Sequence, residues 1–112
     1  MQMIIAFIRP KKWTAVQEAL EQIEVERMTV ADAIGFADNR PNSETSCFPR
    51  QLSQVVWLEI IVNDDFLEKT IEMISRVART GTEGQAGDGK IFVAPVDNVV
   101  RIYDGYSGKG AV

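Results

Sequence analysis

The chain has 112 residues and a mass of 12.5 kDa, a length that suits one compact domain and excludes a two-domain enzyme. Hydrophobic residues make up 46% of the sequence and charged residues 25%, which excludes a disordered or fibrous chain. The formal net charge of −4 argues against charge-driven binding to nucleic acid. Because there is no histidine and only one cysteine, histidine catalysis and the usual zinc sites are also excluded.

The apolar segments are all short. Residues 1–8 are too few for a signal peptide, and no basic region precedes them. No stretch of the sequence approaches the roughly 18 apolar residues of a membrane-spanning helix. We therefore expect a soluble, cytoplasmic protein without direct membrane insertion.

The first part of the chain predicts a strand, a helix and a second strand. Residues 3–8 form an unbroken, β-branched run, which is typical of a strand covered on both faces or nearly so. In residues 13–24 apolar side chains recur every three or four positions, which predicts an amphipathic helix. Thr14 and Gln17 have the spacing of a capping box at its start. Residues 28–34 are a second strand-like run.

The second part predicts a strand, a helix and a further strand. Residues 55–62 are rich in branched side chains and predict the third strand. Asn63, Asp64 and Asp65 supply capping oxygens and negative charge for a helix with an apolar stripe at Leu67, Ile71, Ile74 and Ala78. Residues 90–96 predict the fourth strand, and residues 99–103 a short fifth.

This order predicts a single α+β domain of the ferredoxin-like type. Two βαβ units in series place both helices on one face of a four-stranded antiparallel sheet, with an extra short C-terminal strand. The other face would then expose Ile, Val, Trp and Phe side chains, so we expect self-association in a closed ring to bury it. The alternative is that these side chains all point toward the helices.

Two segments interrupt the regular pattern and are the expected location of function. Residues 36–54 are polar, contain two prolines and are longer than a loop that serves only as a connection. Residues 79–90 contain four glycines and end in Gly87-Asp88-Gly89-Lys90. Glycine-freed amides followed by a lysine are the parts of a phosphate-binding nest, although an ordinary glycine-rich turn has the same composition. A Walker P-loop is excluded, because Ile91 stands where Ser or Thr is needed and a strand follows.

The sequence also contains a set of motifs that together resemble the PII signal-transduction proteins. They are Arg9-Pro10, Met28-Thr29-Val30, Gly35-Phe36, Asp64-Asp65, Arg79-Thr80-Gly81, GDGKIFV at residues 87–93, and Val100-Arg101-Ile102. The resemblance extends over nearly the whole chain and makes residues 1–112 a single PII-like domain. It implies a homotrimer that binds an adenine nucleotide (ADP, AMP or ATP) in clefts between subunits, and a regulator rather than an enzyme. It also implies small-molecule effectors and control of a target enzyme or membrane transporter through a long T-loop.

The same resemblance implies roles for individual residues. The B-loop, at about residues 79–90, would hold the phosphates with Gly87, Asp88, Gly89 and Lys90. Arg101 would reach the phosphates from the neighbouring subunit. Contacts to adenine and ribose would come from Thr29, Glu59 and Ile61, with Gly35 at the base of the T-loop. The T-loop, at about residues 36–54, would present to the partner Asp38, Asn39, Arg40, Ser43 and Arg50, and a C-terminal loop would span about residues 103–112.

The chain also departs from the family pattern. Asp38-Asn39 replace an Arg-Gln pair, Val55 replaces the lysine that grips 2-oxoglutarate, and Tyr103 replaces a second arginine. Because losing a charged partner weakens dianion binding strongly, these changes argue against 2-oxoglutarate sensing. The T-loop has no tyrosine, which excludes tyrosine uridylylation. Fewer cations around the phosphates favour ADP or AMP over ATP, and Arg79 or Arg40 would shift that balance.

Three alternatives remain open at this point. The protein could regulate inorganic-carbon handling or transport, with bicarbonate as its second ligand. It could hydrolyse nucleotide slowly in the same cleft, although the sequence offers no clear general base. It could be a trimeric scaffold related to copper-tolerance proteins, against which the missing histidines and the GDGK motif both argue.

Overall fold

The computed structural model of the protein describes residues 1–37 and 51–112. Its main elements are β1 (Gln2–Ile8), α1 (Trp13–Gln22), β2 (Thr29–Ala37), β3 (Gln51–Val62), α2 (Asp64–Ala78) and β4 (Gly89–Pro95). The predicted order of strands and helices is confirmed. Within the described residues, neither helix is long and apolar enough to cross a membrane.

The four strands form one antiparallel sheet with the order β2-β3-β1-β4. The two central strands are therefore the first strands of the two βαβ units, which is the ferredoxin-like arrangement predicted from the sequence. Alternate residues of each strand point to opposite faces of the sheet, so one face can pack against helices while the other stays open.

The core lies between the sheet and the two helices. Ile4, Ala6 and Ile8 of β1 are buried, and the residues between them are half-buried. On β3 the buried residues are Val56, Leu58, Ile60 and Val62, and the helices contribute Val16, Leu20, Ile74 and Ala78. In the single chain, β1 is thus fully buried on the helix face and half-buried on the other face.

The helix starts differ from the expected caps. A short 3₁₀ turn, Pro10–Lys12, leads into α1, so Thr14 lies inside the helix and the expected capping box is wrong. Asn63 does occupy the N-cap position of α2, but its Nδ2 donates to the Lys109 carbonyl oxygen at 3.5 Å. The Asp64 carboxylate instead accepts a hydrogen bond from the Met1 amino group at 3.0 Å. This ion pair ties the start of the chain to the start of α2.

Residues 99–103 do not continue the sheet as the expected fifth strand. A single bridge joins Val100 to Ser107, and the Arg101 N–H donates to the Tyr106 carbonyl oxygen at 2.8 Å. The Gly105 N–H donates back to the Arg101 carbonyl oxygen at 2.8 Å. Because these bonds turn the chain back on itself, this segment forms a compact C-terminal hairpin, residues 99–108.

The β2–β3 ladder extends beyond the rest of the sheet. β1 pairs with β3 only as far as Val56, whereas β2 pairs with it as far as Gln51, opposite Ala37. The two strands therefore include both ends of the loop predicted at residues 36–54. The predicted partner contacts Asp38, Asn39, Arg40, Ser43 and Arg50 lie outside the described residues.

Candidate functional site

The B-loop connects α2 to β4, as predicted, and its end is fixed by a close approach of two backbones. Gly89 is the first residue of β4 and pairs with Ile8 of β1. Its φ is +125°, and a Cβ atom added there would lie 1.8 Å from the Phe7 carbonyl oxygen. Gly87 also has a left-handed φ of +93°. Only glycine gives β4 this start so close to β1.

The Asp88 carboxylate organises the loop from within. One oxygen accepts hydrogen bonds from the backbone N–H groups of Thr80 at 2.9 Å and Gln85 at 2.8 Å. The other accepts from the Thr80 hydroxyl at 2.6 Å and from Arg9 Nε at 3.1 Å. These bonds, those from Thr80 foremost, hold the pKa of Asp88 well below its usual range. The side chain therefore stays ionised and shapes the loop around itself.

Arg9 and Thr80 were not among the site residues predicted from the sequence. Besides its bond to Asp88, Arg9 donates from Nη2 to the Ala86 carbonyl oxygen at 3.1 Å, so it braces the loop at two points. The signal that reveals this contact is strand register, because antiparallel pairing of Ile8 with Gly89 brings the following Arg9 next to the preceding Asp88. Hydrophobic patterns predict the two strands but leave their mutual register open.

Lys90 projects from β4 on the sheet face opposite the helices. It is exposed and lies across from Phe7, which in turn lies across from Trp57 of β3. The Phe7 ring contacts the Trp57 ring at a centroid distance of 5.7 Å and the Phe92 ring at 6.0 Å. Trp57 remains 38% exposed and Phe92 52% exposed. The lysine thus stands beside an aromatic, largely uncovered surface.

Three of the predicted base and ribose contacts lie together at the other side of the same face. Thr29 of β2 is directly opposite Glu59 of β3, and Ile61 follows two residues later on the same side of the strand. Thr29, Glu59, Ala31 and Trp57 line a shallow depression of about 130 Å³. Gly35 lies farther along β2, opposite Ser53, in the part of the hairpin that extends past β1.

The two groups of predicted contacts lie apart within one chain. Lys90 is on edge strand β4 and Thr29 is on the opposite edge strand β2, with β1 and β3 between them. Three strand spacings of about 4.8 Å separate their backbones by roughly 14 Å. The single chain therefore presents two half-sites on one sheet, one on edge strand β4 and the other on β2 and β3.

Arg101 lies on the C-terminal hairpin. Its Nε and Nη2 donate to the two carboxylate oxygens of Asp104 at 3.1 and 2.6 Å. Its guanidinium carbon lies 4.9 Å from the ring centre of Tyr103 and 5.3 Å from that of Tyr106. The bond to Asp104 raises the pKa of Arg101, and the bond from Arg101 lowers the pKa of Asp104.

A groove of about 290 Å³ runs beside the B-loop, between α2 and β4. Arg79, Asp88 and Lys90 lie among its lining residues, together with apolar residues such as Ile71 and Ile91. Arg101 is not among the described residues that line it. One chain thus brings Asp88, Gly89 and Lys90 together at this groove, with Gly87 next to them in the sequence, and leaves Arg101 elsewhere.

Comparison with known proteins identifies the family. The family model described as "Nitrogen regulatory protein P-II" matches residues 1–106. The chain belongs to the P-II family. The recognition made from the GDGKIFV and Val100-Arg101-Ile102 motifs is thereby confirmed, and so is the α+β fold that it implied.

Several P-II relatives are similar along their whole length. "Nitrogen regulatory protein GlnK1" of Methanosarcina mazei is 40% identical over 115 residues, which cover 100% of this chain and 97% of the relative. "Nitrogen regulatory protein P-II 1" of Methanothermobacter thermautotrophicus is 41% identical with the same coverage. "Nitrogen regulatory protein P-II" of Azospirillum brasilense is 36% identical with 100% of both chains covered. All three names are those of regulatory proteins, so this P-II protein is a signalling protein rather than an enzyme, as predicted.

Proposed function

We propose that this P-II protein binds an adenine nucleotide in clefts between the subunits of a homotrimer and uses its T-loop to control a partner protein. The observation that carries the proposal is the B-loop, in which Asp88 fixes a glycine-rich turn directly before the exposed Lys90. The backbone N–H groups of glycines with left-handed dihedral angles can form an anion-binding nest. The adjacent ammonium group adds a positive charge for a phosphate.

The two half-sites supply the argument for assembly. A closed ring uses one contact repeatedly, in which one edge of each copy meets the opposite edge of the next. Such a contact brings Lys90 of one copy toward Thr29 and Glu59 of its neighbour, whereas the single chain keeps the strands of Lys90 and Thr29 roughly 14 Å apart. It also offers partners for the exposed Trp57 and Phe92 side chains, whose exposure is otherwise unfavourable.

The charges of the site suit the phosphates of a nucleotide. Asp88 is surrounded by four hydrogen-bond donors, so its negative charge is largely compensated and does not repel a phosphate strongly. Lys90 from one copy and Arg101 from the next supply cations to the proposed cleft, and Arg79, which lines the groove beside the B-loop, adds a further one. On the base side, the Glu59 carboxylate can accept a hydrogen bond from the exocyclic amine of adenine, and the Thr29 hydroxyl can bond to the ribose.

The T-loop is positioned to report on the nucleotide. Gly89, Ile8, Val56 and Asp32 pair across the sheet in one row, so the B-loop lies at the end from which the β2–β3 hairpin extends. Gly35 is three residues beyond that row. A nucleotide held by the B-loop therefore lies toward the end of the sheet from which the segment with Asp38, Asn39 and Arg40 extends. The proposed target is a cytoplasmic enzyme or a membrane transporter of nitrogen metabolism, reached through this loop and through Ser43 and Arg50.

Calorimetric titration of the purified protein with ATP, ADP and AMP tests the proposal. We expect saturable binding in the micromolar range, with ADP or AMP at least as tight as ATP. Lys90→Ala should weaken binding by at least tenfold, because it removes the ammonium group from the phosphates. Lys11→Ala is the matched control, since it removes an exposed lysine of the 3₁₀ turn before α1. No heat with any of the three nucleotides would refute the proposal.

A further inference from the structure

Arg101, the cation proposed to reach the phosphates from a neighbouring subunit, already holds an anion. Both oxygens of Asp104 bond to one edge of its guanidinium group, through Nε and Nη2. The two side chains are each about one-third exposed, at 34% for Arg101 and 33% for Asp104. The pair is therefore accessible to a competing ligand from solvent.

The geometry of this pair is the one by which arginine recognises phosphate. Two parallel N–H groups along one edge of a guanidinium bind two oxygens of a carboxylate or of a phosphate in the same way. Tyr103 and Tyr106 lie close to the guanidinium, which limits how far it can turn to offer another edge. A phosphate and the Asp104 carboxylate would thus use the same two donors.

Asp104 also helps to hold the C-terminal hairpin. The backbone N–H of Tyr106 donates to its Oδ1 at 3.1 Å, in addition to the two bonds from Arg101. Displacing the carboxylate from Arg101 therefore perturbs the turn at residues 101–106 as well. Occupancy of the phosphate site and the structure of this hairpin are linked through one side chain.

We propose that Asp104 is a built-in competitor that lowers the affinity of the site for nucleotide phosphates and must leave Arg101 before they bind. This proposal rests on the proposed function, because it concerns the same site. When only a fraction of the protein molecules is in the state that can bind, the apparent affinity for the ligand falls by that fraction. Here the competent state is the one in which Asp104 has left Arg101. Asp104 also places a negative charge beside the incoming phosphate. Both effects favour ligands that, like a phosphate, can bond to the same two N–H donors of Arg101 through two oxygens.

Asp104→Asn tests the proposal, because it removes the charge and keeps the size of the side chain. We expect this variant to bind ADP about three- to tenfold more tightly than the unaltered protein, and to bind adenosine with unchanged affinity. Asp97→Asn is the matched control, because it removes an exposed carboxylate of the segment between β4 and the hairpin. It should change ADP affinity by less than twofold.

Each other outcome has a distinct meaning. If Arg101→Ala weakens ADP binding but Asp104→Asn matches the Asp97→Asn control, Arg101 binds phosphate and Asp104 is no competitor. If Asp104→Asn weakens ADP binding, the carboxylate orients Arg101 for the phosphate. Asp104 then raises the affinity for ADP instead of lowering it, and the proposal is wrong. If the unaltered protein and all variants bind no adenine nucleotide, the proposed function fails and this proposal fails with it. Circular dichroism melting of each variant checks that it is folded.

Discussion

Replacing Gly89 by alanine is the most direct perturbation of the junction between the B-loop and β4. The alanine would have to adopt a φ of +125°, which costs about 1–3 kcal/mol of backbone strain. Its Cβ would lie 1.8 Å from the Phe7 carbonyl oxygen, whereas carbon–oxygen contacts usually begin near about 3.3 Å. The two backbones must therefore separate by roughly 1.5 Å at the start of the β1–β4 ladder.

The combined effect on stability should be large for a single methyl group. Overpacking of this kind adds about 1–3 kcal/mol to the backbone strain. We therefore expect Gly89→Ala to lower the free energy of unfolding by about 2–6 kcal/mol. Nucleotide binding should be lost as well, because the amides before Lys90 move with the ladder. Urea denaturation at a fixed protein concentration measures the first effect, and titration with ADP measures the second.

Gly81→Ala separates the steric part of this prediction from the conformational part. Gly81 has a φ of +67°, but among the described residues no atom beyond Gly81 and its two chain neighbours lies within 4 Å of the position its Cβ would take. Alanine there should cost only about 1–2 kcal/mol, from the left-handed backbone alone. If Gly89→Ala destabilises the protein no more than Gly81→Ala does, the close approach of Gly89 to Phe7 is not a constraint and the reasoning fails.

Three further predictions concern the loop and the open sheet face. Because the pKa of Asp88 is lowered, the ionised carboxylate stabilises the folded protein above about pH 4, and this stabilisation is lost as the pH falls below that. Asp88→Asn should therefore make the free energy of unfolding less pH-dependent below about pH 4. An unchanged dependence of stability on acid pH would contradict this. Thr80→Val should weaken ADP binding while Thr80→Ser preserves it, because valine keeps the backbone bond to Asp88 but lacks the hydroxyl that makes the second one. Equal affinities in titrations would show that the hydroxyl bond is dispensable. Phe92→Glu should dissociate the proposed homotrimer, as measured by light scattering, whereas Ala15→Glu on the exposed side of α1 should not. Equal masses for the two variants would refute burial of the sheet face opposite the helices.

Periodicity predicted the elements well because one face of each is buried. Strand β3 alternates between buried residues and exposed or half-buried ones, the buried residues being Val56, Leu58 and Ile60. This period of two distinguishes a strand from a helix. The order of elements then left the ferredoxin-like sheet as the simplest arrangement. Details at the ends were less predictable: Pro10 starts a 3₁₀ turn that displaces the expected cap at Thr14.

The hydrogen bonds that hold the B-loop could not be predicted from the sequence, because they depend on pairing between distant segments. The bond from Arg9 to Asp88 joins residues 79 positions apart and exists only in the register that pairs Ile8 with Gly89. The Arg101–Asp104 pair is different, since its partners are three residues apart and of opposite charge. That spacing was visible in the sequence, but residues 99–103 were expected to be extended, which would have pointed the two side chains apart.

In the proposed trimer, each nucleotide site combines Lys90 of one copy with Arg101 of the next. Mixing Lys90→Ala and Arg101→Ala chains in equal amounts, with joint unfolding and refolding, tests it directly. In a randomly mixed ring, about one cleft in four should receive the intact lysine from one variant and the intact arginine from the other. We predict that calorimetry finds ADP binding restored at about a quarter of the clefts. A mixture that binds ADP no better than either variant alone would contradict the claim.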